Sequence, residues 1–186
     1  MRKIFAFLMT TLDGYYEGTN QEFDFWVVDK EFDEFSVEQL DEVDTLLLGR
    51  VTYEGMAAYW PTPAAEQDDP RVAARMNSIS KIVVTRTLET AEWANTRLLE
   101  DDVADELAKL KQQPGKEMAI LGSSDLTVSL LQMGLVDELR IMVNPVILGA
   151  GKSLLRTAVE RVSLKLLKSR PFKSGNVLLY YQPVAR

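Results

Sequence analysis

The sequence predicts an α/β fold: a central, mostly parallel sheet with helices on both faces and antiparallel strands at its C-terminal end. Two observations carry this. Up to Val136, short and wholly apolar β-type runs alternate with segments of helical periodicity. Runs without polar alternation suit strands covered on both faces. Beyond Val136, three β-like runs follow one another with no helix of ordinary length between them, as in an antiparallel edge. No internal repeat, low-complexity tract or Gly/Ser linker divides the 186 residues, so one domain over residues 1–186 is expected.

Ile4 to Met9 reads as the first buried strand, Thr45 to Leu48 as the second, and Lys81 to Thr85 and Met118 to Leu121 as two more. Ahead of the second strand, Phe32, Phe35, Leu40 and Val43 fall at offsets 0, 3, 8 and 11, one face of a helix. Val103, Leu107 and Leu110 define another, with Asp101 and Asp102 placed to cap and complement its N-terminus. Leu126, Leu130 and Met133 define a third, opened by Ser123 and Ser124 and closed by Gly134. The stretch from Pro61 to Pro70 reads as a surface loop. The last three runs are Glu138–Leu148, Val162–Ser169 and Val177–Gln182. Val162, Leu164 and Leu166 alternate with polar residues, which predicts one buried face. Val177 through Tyr181 has no polar alternation and calls for cover on both sides.

The chain contains neither cysteine nor histidine. Disulfides, Cys/His zinc sites, cysteine nucleophiles and every Ser–His arrangement are thereby excluded. Proton transfer, if there is any, falls to carboxylates, tyrosines, lysines or water. No metal site is expected, and the lack of cysteine suits the cytoplasm. Arg2-Lys3 precedes an apolar stretch of only six residues, too short for a signal segment or a membrane span. The net charge of −7 speaks against nucleic-acid binding. Between Glu22 and Asp44 stand ten acids and one base, so the remainder is slightly basic. The plain reading is the solvated face of a helix; the asymmetry also suits an anionic cofactor bound to the remainder.

Gly149-Ala150-Gly151-Lys152-Ser153 imitates a phosphate-binding loop, but the glycine required five residues before Gly151 is Val146. A glycine-rich bend between strands fits better. No G-x-G-x-x-G occurs. Instead, three strand ends lead into anion-compatible turns: Gly49-Arg50-Val51-Thr52, Thr85-Arg86-Thr87, and Leu121-Gly122-Ser123-Ser124-Asp125. Backbone amides at a helix N-terminus, a guanidinium and a hydroxyl make a pyrophosphate site at such a junction. On one edge of a sheet the three turns would act together.

Thr11-Leu12-Asp13-Gly14-Tyr15 and Leu48-Gly49-Arg50-x-Thr52-Tyr53-Glu54 resemble the dihydrofolate reductase-like superfamily. Leu135-Val136-Asp137-Glu138-Leu139 and Asn144-Pro145-Val146-Ile147-Leu148-Gly149-Ala150-Gly151-Lys152 narrow the resemblance to its riboflavin-biosynthesis reductase branch, the RibD C-terminal family. The resemblance covers essentially the whole chain. Two departures stand out: one glycine only is kept in the turn at Gly122, and the zinc deaminase domain of the full-length riboflavin enzyme has no counterpart.

The resemblance implies a three-layer α/β/α fold with a mixed sheet, NADPH as cofactor and a homodimer. It places Gly49, Arg50 and Thr52 on the pyrophosphate, Thr85 and Arg86 on the adenosine 2′-phosphate, and Leu121, Gly122, Ser123, Ser124 and Asp125 around the diphosphate and nicotinamide ribose. Leu12, Asp13 and Gly14 become a mobile loop over the nicotinamide. A substrate-binding carboxylate on the first helix falls to Asp33, sixteen residues before Gly49, with Asp29 and Glu31 as alternatives. Phe23, Trp26, Tyr53 and Trp60 are candidate pocket walls. The implied activity is reduction of a planar pyrimidine or pteridine, such as 5-amino-6-(5-phosphoribosylamino)uracil. Dihydrofolate reduction, a xenobiotic reductase and a non-catalytic NADP(H)-binding module are the alternatives.

Overall fold

The structure, a computed structural model, describes residues 1–158 and 160–184. The first half of the chain forms β1 (Ile4–Thr11), β2 (Tyr15–Glu17), α1 (Lys30–Asp41), β3 (Val43–Gly49), α2 (Arg50–Tyr59), α3 (Pro63–Asp68), α4 (Pro70–Ser78) and β4 (Ser80–Val84). The second half forms β5 (Thr96–Leu99), α5 (Val103–Gln112), β6 (Glu117–Leu121), α6 (Ser124–Gln132), β7 (Glu138–Asn144), β8 (Lys152–Ser153), β9 (Leu164–Pro171) and β10 (Val177–Pro183). Eight strands make one sheet in the order β5-β4-β3-β6-β1-β7-β10-β9, and β2 pairs separately with β8. The six strands from β5 to β7 are parallel. β10 and β9 join antiparallel.

Strand alternation sorts the core into two layers. Phe5, Phe7, Leu46, Leu48 and Leu121 pack with Phe35 of α1, Tyr53 of α2 and Val72 of α4. Ile4, Ala6, Leu47 and Ile120 pack with Leu107 of α5 and Leu130 of α6 on the opposite face. The expected three layers follow. From β3 the chain leaves through α2 toward the β5 edge, and from β6 it leaves through α6 toward β7. These divergent connections start from neighbouring strands and use opposite faces. A crevice therefore opens above the carboxyl ends of β3 and β6, where open α/β sheets bind ligands.

Several expectations change at the level of elements. Val43 belongs to β3 rather than to the preceding helix, which ends at Asp41; its matching offset is fortuitous, because Glu42 alone separates helix from strand. The proline-rich stretch is not a loop. Pro63 and Pro70 each open a helix, capped by the side chains of Thr62 and Asp69, since proline fits a first turn whose amide has no partner. Asp102 occupies the N-cap of α5 but lies at φ 52° and makes no side-chain cap bond. β7 stops at Asn144, before Pro145, which has no amide to donate. β9 has no buried face: Leu164, Leu166 and Leu167 are 40%, 51% and 46% exposed. Nor is the acidic segment simply solvated. Asp41 pairs with Arg75 at 2.7 Å, Glu38 with Arg170 at 3.0 Å and Glu42 with Arg140 at 2.8 Å.

The bend at Gly149 to Gly151 joins β7 to β8, and among the described residues no helix follows it. Gly151 has φ +155°, and a Cβ added there would collide with the Glu17 carbonyl of β2. Gly151→Ala must therefore part β8 from β2 or strain its backbone. A loss of about 1–3 kcal/mol is expected, checked as a lowered midpoint in thermal denaturation.

Candidate functional site

The crevice is built from two helix N-termini lying side by side. Gly49, the N-cap of α2, has no side chain to offer, and the first turn of α2 holds no acid. Ser123, the N-cap of α6, makes no side-chain cap bond within its own helix. Its Oγ instead accepts from the Gly49 amide at 3.0 Å, tying the β3 turn to the β6 turn. Gly122, at φ +67°, brings this turn close to α2: a Cβ there would lie 3.6 Å from Thr52 Cγ2. Two helix ends with free amides and positive dipole ends thus face one crevice. That donor set fits a pyrophosphate.

The third junction follows β4 in the same sheet edge. Thr85 is buried, and its Oγ1 accepts from the amides of Thr87 and Leu88 at 3.1 Å each, which turns the chain sharply and leaves Arg86 exposed. Beyond β1, Leu12 is 66% exposed, but Asp13 does not hang free. Its carboxylate accepts from the Thr11 hydroxyl at 2.7 Å and from the amides of Gly149 at 2.8 Å and Leu148 at 3.1 Å. These bonds, the Thr11 hydroxyl first, hold its pKa down to about 2. Asp13 is an anchor between the Leu12–Gly14 turn and the bend after β7. Arg50 lies exposed and pairs with Glu54 at 3.0 Å. Ser124 accepts from the Leu155 amide, and Asp125 accepts from the Thr157 hydroxyl and meets Arg156 at 3.5 Å.

Next to the crevice is a cavity of about 620 Å³, lined largely by apolar side chains. Its floor is Phe7 and Met9 of β1 and Leu121 and Gly122 at the end of β6. Phe32 and Leu40 of α1 and Val72 and Met76 of α4 form one wall. Phe23, Trp26 and Val28, from the segment between β2 and α1, close it from above. That segment is fastened at Val27: its amide donates to Asn144 Oδ1 at 3.0 Å, and its carbonyl accepts from Asn176 Nδ2 at 2.8 Å. Both asparagines are fully buried.

Asp33 projects into this cavity from α1, because Phe32 and Phe35 on either side turn toward Phe7, at centroid distances of 6.4 and 5.5 Å. No described residue donates a hydrogen bond to its carboxylate. Burial raises its pKa above the usual carboxylate range; repulsion from Asp69 adds to this, Arg71 opposes it, and Asp29 and Glu34 contribute less. The two alternatives are otherwise engaged. Asp29 caps α1 by accepting from the Phe32 amide, and Glu31 accepts from the Lys173 amide. Of the four candidate aromatics, Phe23, Trp26 and Trp60 line the cavity. Tyr53 does not: it is buried behind α2, where its hydroxyl accepts from the Trp93 amide at 3.1 Å. Tyr16, Met56, Tyr59, Asp69 and Leu154 also line the cavity and were missed. The cap signal Asp69-Pro70 marks the start of α4 in the sequence, but only the packing of α1 on α4 brings Asp69 near Asp33.

Comparison with known proteins agrees with this architecture. The chain is 33% identical over 182 residues to the uncharacterized protein YyaP of Bacillus subtilis, covering 97% of this chain and 94% of the relative. A putative riboflavin biosynthesis protein from Shewanella sp. PV-4 superposes with a TM-score of 0.75 at 21% identity, covering 98% of this chain and 99% of the other. Enterococcus faecalis dihydrofolate reductase, solved with NADP(H) and RAB-propyl, superposes with a TM-score of 0.63 at 17% identity over 97% of this chain and 96% of the reductase. At these identities the two structures establish the fold, which is dihydrofolate reductase-like. The RibD C-terminal domain model matches residues 2–178. With the uncapped paired helix ends, the acid-bearing cavity beside them and this match over nearly its whole length, the chain belongs to the RibD C-terminal domain family.

Proposed function

We propose that the protein is a cytoplasmic NADPH-dependent oxidoreductase that reduces a planar pyrimidine- or pteridine-type ring. One observation carries this reading: Leu121 and Gly122 belong both to the wall of the aromatic cavity and to the turn that opens the paired helix N-termini. A dinucleotide with its phosphates on those amides would present its other end to the cavity. When bound, NADPH supplies the hydride. The Thr52 amide and Arg50, set by the Gly49 turn, bind the pyrophosphate. Thr85 and Arg86 take the 2′-phosphate, and Gly122 through Asp125 wrap the diphosphate and ribose. Leu12 to Gly14, steadied by Asp13, shield the nicotinamide side from water. Asp33 orients the ring and delivers a proton to its reduced nitrogen. A placed carboxyl of raised pKa favours an enzyme over a module that only holds the nucleotide.

Calorimetry tests the cofactor assignment. Micromolar or tighter NADPH binding is expected, with NADH much weaker. Arg86→Ala is expected to weaken NADPH by about 1.5–3 kcal/mol, the range for hydrogen bonds to charged groups. Equal affinity of the wild type for the two nucleotides would remove the 2′-phosphate site.

A homodimer is the second part of the reading. β10 is covered on one side, where Leu178 and Tyr180 are buried, while Val177, Leu179 and Tyr181 are half-exposed on the other. β9, outside it, is an open edge carrying three exposed leucines. Such an edge invites pairing or aggregation unless it is covered, and a second copy would cover it. Light scattering should give about twice the 21.0 kDa chain mass. A monomer at micromolar concentration counts against it.

A further inference from the structure

The substrate cavity has a charge character that the cofactor crevice does not share. Of the twenty-two residues that line it, none is lysine or arginine, whereas three are aspartates: Asp33, Asp68 and Asp69. The cations nearby lie outside the lining, each beside an acid. Arg71 lies 3.8 Å from Asp69, Lys152 pairs with Glu17, and Arg156 meets Asp125. Asp68 is exposed at the rim and accepts from the Tyr59 hydroxyl at 2.6 Å. Asp69 caps α4 through the Arg71 and Val72 amides, so its charge is fixed in place. No group of acids among the described residues is arranged to hold a metal ion. Seven of the lining residues are aromatic, Trp26 and Trp60 among them.

We infer that the cavity selects a planar ring system that carries no phosphate, is neutral or cationic, and directs amino N–H groups at Asp33. This rests on the reductase reading and narrows it. A phosphate ester in the cavity would meet the charge fixed at half-buried Asp69, the Asp33 carboxyl and Asp68 at the rim, with no lysine or arginine in the lining to receive it, and repulsion from a half-buried like charge is only weakly screened. A protonated or amino-substituted ring meets the reverse: an acceptor without a donor at Asp33, and aromatic faces that attract cations. The phosphoribosyl compound that the family resemblance implies is therefore the wrong substrate for this chain. The basic side chains that an anion needs, Arg50 and Arg86, lie at the cofactor end instead.

The test compares 5-amino-6-(ribosylamino)uracil with its 5′-phosphate ester. Both are titrated into protein holding NADP+, which blocks the phosphate crevice, and binding is read from quenching of Trp26 and Trp60 fluorescence. The phosphate-free compound is expected to bind at least ~100-fold more tightly, the effect of one like-charge pair a few ångströms apart at an effective dielectric of about 20. Asp68→Lys, a change at an exposed rim position, is expected to shrink that preference to ~10-fold or less. Binding of the ester as tight as that of the parent, binding of neither compound, or a preference untouched by Asp68→Lys overturns the inference. NADP+ saturation is measured first and separately by calorimetry. Failure there strikes the reductase reading, whereas failure of the ester comparison leaves that reading standing with a different substrate.

Discussion

Asp33→Asn is expected to lower kcat by ~10²–10⁴-fold, the usual worth of a general acid, with NADPH affinity little changed. Hydride addition to a C=N bond leaves a nitrogen that must gain a proton. In a chain without histidine or cysteine, the cavity wall offers Asp33 for this step. An ordinary aspartate, with a pKa of about 3.9, is almost wholly ionised at neutral pH. Asp33 is not ordinary: burial and the Asp69 charge raise its pKa, so more of it stays protonated. The sign for activity follows. The donor form exists below that raised pKa, so kcat should fall as pH rises through it, and Asp33→Asn should erase this limb of the profile. The asparagine keeps the shape and removes repulsion from Asp29, Glu34 and Asp69, so the thermal midpoint should hold or rise while turnover drops. Near-normal turnover by the variant would leave ordered water as the donor, because Asp29 and Glu31 are bound to backbone amides elsewhere.

Most of the parallel core was legible because continuous apolar runs have few other uses. Ile4–Met9, Thr45–Leu48 and Met118–Leu121 all fall within central strands. The three anion-compatible turns could be placed on one edge for the same reason: parallel strands share a carboxyl end. What sequence reasoning lost was information held between elements. Val43 matched a helical offset although the helix ends two residues earlier. Pro61 to Pro70 looked irregular because proline opens helices as readily as it breaks them. Tyr53 and Trp60 looked equivalent, yet Tyr53, in the first turns of α2, bonds the Trp93 amide, whereas Trp60, at the C-cap of α2, lines the cavity. Asp69 could not be joined to Asp33 without the α1–α4 contact. The alternation in Val162 to Leu166 predicted a buried face, but β9 is an edge strand with no helix layer over it; amphipathic alternation says which residues share a face, not whether anything packs on it.

Arg140→Met is expected to destabilise the fold by about 3 kcal/mol, the low end of the range for breaking a buried ion pair. Arg140, on β7, is 7% exposed, and its guanidinium lies 3.6 Å from the centroid of the Phe5 ring. It donates to Glu138 at 2.7 Å, pairs with Glu42 at 2.8 Å and lies 3.8 Å from Glu117. One cation thus serves three carboxylates at the end of the sheet away from the crevice. Methionine fills much the same volume over Phe5, so the loss reports mainly the charges left behind. The low end applies because the Glu42 side chain is 49% exposed and that of Glu117 33%, and water screens both in part. The penalty should depend on pH in a definite direction. Burial already raises the Glu117 pKa from its ordinary 4.5, and Arg140 pulls it back. Without the arginine it rises further. A group whose folded pKa is raised costs stability above that pKa and nothing below its unfolded value. The deficit of Arg140→Met should therefore be full near neutral pH and shrink as pH falls toward 4.5. Urea titrations of both proteins across that interval measure it. A deficit that stays constant with pH would mean that Arg140 acts through packing on Phe5 and Tyr180 rather than through its three carboxylates.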